Sequence, residues 1–229
     1  MSNESNTPPE VTSRRRPLLS SNNYHRAIDL HRLLRDNSST TRTHNAIVQG
    51  VVLISCAAVE ARIGEIFSTL SGENFQVNKI EGLSDSFPPA VRRTAQLLDS
   101  SNSPNWRQRL QQLAALEDKE PFDIGSGAGQ DYGLLAQLRN NLIHAPPTWV
   151  TTKSDGSVTI TEQALFESLS SRIPVGNFDQ SSRFPVSVLV QPLAVWALLT
   201  GRGMINYVNS HLGYQYPDLP DPDSPCLTA

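Results

Sequence analysis

The sequence is short of cysteine and of excess charge, and each shortage excludes a class of protein. Only Cys56 and Cys226 occur among 229 residues, which supplies neither a disulfide framework nor a zinc-binding pattern. The formal net charge is −3. This value excludes a general nucleic-acid coat, because such a protein carries an overall positive field. Any contact with RNA must therefore be local.

Apolar runs long enough to cross a membrane are also missing from the sequence. The longest one, Ala46 to Ala61, is interrupted by Gln49, Ser55 and Glu60, and it falls short of the roughly 20 apolar residues that a span needs. The polar N-terminus lacks the apolar core of a secretory signal. We therefore expect no membrane contact and a cytoplasmic location.

Composition divides the chain into one domain and two tails. Residues 1–20 are rich in Ser, Asn, Thr, Pro and Arg, and predict a disordered tail. Residues 213–229 are rich in proline and predict an extended C-terminal tail. Residues 21–212 between them form a single predicted domain.

Apolar residues at three- and four-residue steps predict seven helices in this domain. Thr43 or Asn45 is the expected N-cap of the second helix, and that helix is apolar enough to be central. The glycine-rich stretch 125–129 predicts a flexible hinge or lid. The predicted helices cover 24–35, 46–70, 87–98, 106–116, 132–144, 162–171 and 188–212.

A change of period interrupts this series of helices. Residues 148–161 alternate as two short strands around Ser-Asp-Gly, which predicts a small β-hairpin. The whole pattern predicts an all-α fold, an antiparallel helical bundle with one β-hairpin insertion.

The segment Leu138 to His144, Leu-Arg-Asn-Asn-Leu-Ile-His, contains residue types suited to RNA cleavage by the adjacent 2′-hydroxyl. That reaction needs an acid, a base and positive charge on the phosphate. Histidine has an unperturbed pKa of about 6.5 and suits proton transfer. Arginine grips phosphate with two parallel hydrogen bonds. Arg139 and His144 are therefore the candidate catalytic residues.

The five-residue spacing places these two side chains roughly 140° apart around a regular helix. They converge if the helix loosens before Pro146, or if a symmetric dimer brings two copies across one cleft. Arg26 and His31 have the same spacing in the first helix, and we interpret that pair as surface polar residues.

Arg139, Asn140 and His144 together fit the motif of the HEPN superfamily, which the chain resembles over roughly residues 25–212. The central helix from Ile54 to Phe67 is similar to the second helix of several HEPN groups, where an acidic residue approaches the active cleft. Glu60 is our candidate for that residue, and Glu65 is the second choice.

The resemblance implies a dimeric bundle of five core helices, with the hairpin as an insertion. It implies a metal-independent endoribonuclease without a cofactor, of the kind found in toxin–antitoxin and phage-defence systems. Arg139 would hold the scissile phosphate, His144 would be general acid or base, and Asn140 would orient the pair or bind phosphate. The expected partners are a second copy, an RNA substrate and an antitoxin or other regulatory protein.

Two alternatives stay open. The chain is also compatible with a non-catalytic HEPN-like module that binds RNA, a nucleotide or a protein, and with a purely structural helical protein. Metal ligation has little support, because no ligand cluster surrounds the histidines. We expect Trp106 and Trp196 to be core aromatics.

Overall fold

The computed structural model describes residues 18–36, 40–71, 88–100, 105–144, 150–152, 158–160, 163–174 and 185–222. Within these ranges the chain is mostly helical, so the all-α prediction is confirmed at that level. The antiparallel five-helix HEPN arrangement stays a prediction. The helices are α1 (Leu19–Asp36), α2 (Thr41–Leu70), α3 (Pro89–Ser100), α4 (Trp106–Leu116), α5 (Gly127–His144), α6 (Gln163–Ser170) and α7 (Gln191–Leu212).

The central position of α2 follows from its composition. Its apolar residues are not confined to one stripe, so several faces can be buried at once. The helix contacts α1, α3, α4, α5 and α7. Val51, Val59 and Ile66 are fully buried there, and each contributes about 1.5–3 kcal/mol relative to an exposed side chain. This helix is the frame that holds the others in place.

By length and composition alone, α2 would also pass for a membrane span, and half of its most apolar window is buried inside the protein. The core helix of a soluble protein passes the same test. The cytoplasmic location stays a prediction.

The start of α2 differs from the sequence prediction. Thr40, not Thr43 or Asn45, is the N-cap, and its hydroxyl oxygen accepts a hydrogen bond from the Thr43 amide. Residues 41–45 therefore belong to the helix. Apolar periodicity does not identify this turn, because its side chains are polar and at least partly exposed.

The glycine-rich stretch is not the hinge that the sequence predicts, because α5 begins within it at Gly127. Asp123 lies in the loop before α5, and its carboxylate accepts hydrogen bonds from the Gly125 amide and the Ser126 hydroxyl. Gly129 is buried so tightly that a Cβ there would lie 2.6 Å from the Cα of Ile124. The glycines thus permit close packing at the start of α5.

Two three-residue strands follow α5. Strand β1 (Val150–Thr152) pairs antiparallel with β2 (Val158–Ile160), with Val150 opposite Ile160. A 3₁₀ turn at Val186–Val188 precedes α7, which is why α7 begins three residues later than predicted. That the strands are an insertion into a HEPN core stays a prediction.

The segment after α7 packs against the bundle as far as the structure describes it. Tyr214 and Leu219 are each 3 % exposed. The Tyr214 hydroxyl donates to Glu117 after α4, and the Tyr216 and Ser20 hydroxyls share a hydrogen bond of 2.7 Å. Aromatic side chains thus attach the segment after α7 to α1 and to the residue that follows α4. The sequence predicts this segment as a tail.

Candidate active site

Arg139, Asn140 and Glu60 come together where α5 packs against α2. On α5, Leu135 and Leu138 are buried, so the neighbouring Arg139 emerges at the margin of the interface. The Arg139 Nη2 lies 3.5 Å from the Glu60 Oε2, and the Arg139 Nη1 donates to the Asn140 Oδ1 at 3.0 Å. Three of the four predicted site residues are therefore neighbours.

This cluster is open to solvent. The side chains of Arg139 and Glu60 are 33 % and 44 % exposed. An ion pair of this length and exposure contributes at most about 1 kcal/mol to stability. The Arg139 guanidinium is therefore oriented by two neighbours without being locked, and an incoming anion can still reach it.

His144 is exposed at the last residue of α5 and is not among the residues that line the groove of Arg139. Since α5 stays α-helical through His144, the loosening that would bring the two side chains together does not occur before that residue. They point in directions roughly 140° apart. Within one chain, the predicted pair is therefore divided between the groove and the helix end.

The floor below the ion pair is apolar and neutral. The Tyr132 hydroxyl donates to the carbonyl oxygen of Cys56 at 3.5 Å, and the Cys56 thiol lies 3.9 Å from the carbonyl oxygen of Leu135. Burial raises the pKa of the Cys56 thiol to about 12 and holds the pKa of Tyr132 well above its ordinary value. Neither group ionises near neutral pH, so neither adds a charge beside Glu60 and Arg139.

A groove of about 350 Å³ opens beside the cluster. The sequence prediction missed most of its walls. They come from the start of α4 and the middle of α5, and they carry no motif that spacing alone would reveal. Besides Glu60, Arg139 and Asn140, the lining residues are Asn105, Trp106, Arg107, Gly133, Ala136 and Gln137.

Trp106 therefore has two roles. Its ring packs edge-on against Tyr132 with the centroids 4.9 Å apart, as expected of a core aromatic. The same side chain is only partly buried and lines the groove, where the Arg107 guanidinium lies 5.3 Å from its ring centroid.

Glu65, the second choice for the acidic site residue, is not in this groove. It is 4 % exposed and accepts hydrogen bonds from the Ser20 amide and hydroxyl at 2.8 and 2.6 Å. Arg62 lies 3.4 Å away and is itself 1 % exposed. Glu60 and Glu65 are five positions apart on one helix, so they face different sides of it.

The surface interpretation of the second Arg-x4-His pair is wrong for its histidine. Arg26 is exposed, but His31 is 2 % exposed and belongs to the buried face of α1. His31 lies four positions after Ala27 and three after Ile28, both of which are buried. The helical spacing therefore put an imidazole on the core side.

His211 also has a packing role. Its Nε2 lies 2.7 Å from the carbonyl oxygen of Glu120, and its ring stacks on Phe122 at 4.1 Å. In the parts of the chain that the structure describes, no three side chains of His, Cys, Asp or Glu are grouped closely enough to hold a metal ion.

Comparison of the chain with protein-family models, curated proteins and solved structures finds no match. Its function must therefore be argued from the site itself.

Proposed function

We propose that this protein is a metal-independent endoribonuclease of the HEPN type that acts as a homodimer. One observation carries the proposal. Glu60 and Arg139, which are 79 residues apart in sequence, meet in one groove with Asn140 beside them. Arg139 and Asn140 belong to the motif, Glu60 was chosen by the resemblance of its helix, and the contact of Glu60 with Arg139 in one groove supports the proposal.

The proposed reaction uses the RNA itself as nucleophile. A base removes the proton of a 2′-hydroxyl, and the 2′-oxygen then bonds to the adjacent phosphorus. The bond from phosphorus to the 5′-oxygen breaks, and an acid gives a proton to that departing oxygen. The products are a 2′,3′-cyclic phosphate and a 5′-hydroxyl end. His144 supplies the base or the acid, and Arg139 binds the negative phosphate oxygens.

A second copy of the chain completes the site in this proposal. His144 is exposed at the end of α5, and the neighbouring Ile143 is a large apolar side chain that is 47 % exposed. A two-fold axis near this helix end would bury Ile143 and bring His144 of one copy towards the groove of the other. Because Arg139 and His144 are separated within one chain, the proposed reaction requires the dimer.

The biological setting follows from the resemblance. We propose a cytoplasmic enzyme of toxin–antitoxin or phage-defence type, controlled by an antitoxin or another regulatory protein. No cofactor enters the reaction as written.

The experiment is an RNA cleavage assay in the presence of EDTA. We expect the wild-type protein to cut RNA and leave 2′,3′-cyclic phosphate ends, detected by mass spectrometry of the fragments. We expect His144→Ala and Arg139→Ala to cleave RNA at least about 10²-fold more slowly than the wild type. His25→Ala and Arg26→Ala are the matched controls, because both residues are exposed on α1, away from the groove. Equal cleavage by His144→Ala and the wild type would refute the proposal.

One observation favours a second candidate function, a binding module without catalysis. Arg139 already contacts a carboxylate, and the histidine lies outside the groove. In that case the protein would bind RNA or a nucleotide through Arg139 and leave it intact. Binding that Arg139→Ala abolishes, with no cleavage by any variant, would select this candidate.

A further inference from the structure

A second cavity lies next to the groove at Arg139, along α5. This cavity has a volume of about 470 Å³ and shares Arg107, Gly133 and Gln137 with the first. It ends at Arg172, just after α6. From Gln130 to Arg139 the path follows nine residues of α5, which is roughly 14 Å at 1.5 Å per residue.

The walls of the two cavities have a charge balance opposite to that of the whole chain. Their lining includes the three arginines Arg107, Arg139 and Arg172 but one carboxylate, Glu60, whereas the chain has a net charge of −3. Asp131 offsets part of this charge, because its carboxylate lies 2.7 Å from the Arg172 Nε. Half of the remaining lining residues carry amide or hydroxyl groups, which bind sugars and phosphates without adding charge.

Gly133 gives the middle of the groove its shape. A Cβ at this position would lie 3.1 Å from the Arg107 Nη2 and 3.6 Å from the Trp106 Cζ2. The missing side chain therefore lets Arg107 and Trp106 lie against α5. In consequence a cation and a partly exposed aromatic ring lie side by side on the groove wall, with Arg107 lining both cavities.

We infer that the two adjoining cavities form one groove, which binds a single-stranded RNA segment that extends from the cleavage point towards α6. The inference rests on the proposed function and names its substrate class. Arg107 and Arg172 contact successive backbone phosphates, and Trp106 offers a surface for a base. Proteins bind unpaired strands with alternating cations and aromatic rings, because every base has a face that can stack.

The geometry favours an unpaired strand over a duplex. The groove runs along one face of α5 and is bounded by the start of α4 and the end of α6. Duplex RNA is recognised across wide shallow surfaces through its shape, whereas unpaired bases enter confined sites with aromatic and arginine walls. The length of about 14 Å also exceeds the roughly 3.4 Å rise of one nucleotide, so more than one nucleotide fits.

The test measures binding apart from cleavage. A fluorescein-labelled, roughly 12-nucleotide single-stranded RNA is titrated into His144→Ala protein, in which cleavage is slowed. Adding Arg107→Ala should weaken binding about fivefold or more. The plot of log Kd against log salt should also become shallower by about 0.7 for each phosphate that the variant no longer neutralises. Arg172→Ala should act in the same direction.

Gly133→Ala tests the shape of the groove without removing a charge. Alanine favours a helix by about 1 kcal/mol over glycine, so the fold is retained while the Arg107 end group is displaced. We expect weaker RNA binding at unchanged thermal stability. For Arg107→Ala and Arg172→Ala the matched control is Arg93→Ala, because Arg93 is an exposed arginine on α3, outside both cavities.

The outcomes separate this inference from the nuclease proposal. Wild-type affinity of Arg107→Ala and Arg172→Ala would overturn the groove, even if the enzyme cleaves RNA through His144. Affinity for a duplex or for a free mononucleotide equal to that for the single strand would overturn it as well. Binding that depends on Arg107 in a protein that never cleaves would support the groove and leave the nuclease proposal refuted.

Discussion

Two ion pairs that involve α2 differ in almost every physical respect. Arg62 and Glu65 form one of them, 1 % and 3 % exposed, and Glu60 forms the other with Arg139 at a distance of 3.5 Å. In the buried pair Arg62 also donates to Asn209 at 2.8 Å and lies 4.5 Å from the ring centroid of Tyr216. In the open pair Arg139 also donates to Asn140, and the pair lies beside a groove.

The difference separates a structural cluster from the proposed binding site. Burial lowers the pKa of Arg62 below its ordinary value, while Glu65 favours the charged form. A pair in such a place must keep its partners, because an unpaired buried charge is costly. Arg139 and Glu60 remain partly hydrated, so an anionic ligand can replace one partner with another at little cost. Glu60 and Glu65, five positions apart on α2, thus differ in role, since Glu65 belongs to a buried structural cluster and Glu60 lies beside an open groove.

The largest effect we expect comes from breaking the buried pair. Arg62→Ala leaves Glu65 buried without its cation and should lower the free energy of unfolding by about 3 kcal/mol, measured by urea denaturation. The control is Arg26→Ala on the exposed face of α1, for which we expect a change under about 0.5 kcal/mol. A destabilisation by Arg62→Ala as small as that of the control would show that the buried pair does not hold the fold.

Breaking the open pair should lower activity strongly and change the free energy of unfolding little. Arg139→Ala should reduce RNA cleavage by about 10²–10³-fold, since it removes the charge that stabilises the phosphate. Its free energy of unfolding should change by less than about 1 kcal/mol. Arg139→Lys keeps the charge but loses the two-pronged geometry, so we expect only partial recovery. A strongly destabilised Arg139→Ala would contradict the comparison.

Alkaline pH should affect both regions through groups buried near them. Burial raises the pKa of Cys56, below the open pair, and of Tyr216, in the buried cluster, each to about 12. The folded protein keeps these protons after the unfolded chain releases them. This stability is therefore complete below about pH 9 for Cys56 and about pH 10 for Tyr216, and is lost as the pH rises towards 12.

Denaturation from pH 8 to 11 measures this effect. Each retained proton adds a slope of about −1.4 kcal/mol per pH unit to the free energy of unfolding. Cys56→Ala should flatten the decline that begins near pH 9, and Tyr216→Phe should flatten the part that begins near pH 10. Parallel curves for both variants and the wild type would be inconsistent with buried neutral groups.

The smallest effect is expected for Glu60→Gln. Glutamine keeps the shape of the side chain but loses the charge that orients Arg139, so cleavage should fall less than about tenfold, in keeping with a contact of about 1 kcal/mol or less. Glu65→Gln is the matched change in the buried pair and should lower stability more than activity. If Glu60→Gln abolished cleavage at normal stability, Glu60 would have a direct chemical role.

The helices themselves could largely be predicted, because apolar periodicity is a local property. The helix Trp106–Leu116 has the predicted bounds, and Asn105 caps it by accepting a hydrogen bond from the Gln108 amide at 3.1 Å. The errors lie where local and tertiary signals differ. The start of α5 shows this, because its glycines suggest a loop in sequence but permit tight packing against Ile124 in the structure.

The candidate site could be predicted only in part, and for a similar reason. Arg139 and Asn140 fit a short local motif, and Glu60 was chosen by resemblance. Arg107, Gly133 and Arg172 belong to no motif, because three different segments supply them. The side of a helix on which a charged residue lies, which separates Glu60 from Glu65, also depends on what packs there.

The sequence by itself determined the helices, the central place of α2 and the residues that are chemically able to act on RNA, since these follow from apolar spacing and side-chain type. Tertiary packing decided which charges are sealed and which remain open. It buried Arg62, Glu65 and His31 and left Arg139 beside a groove. The physical reason is that solvation depends on neighbours from distant parts of the chain, and no local pattern contains them.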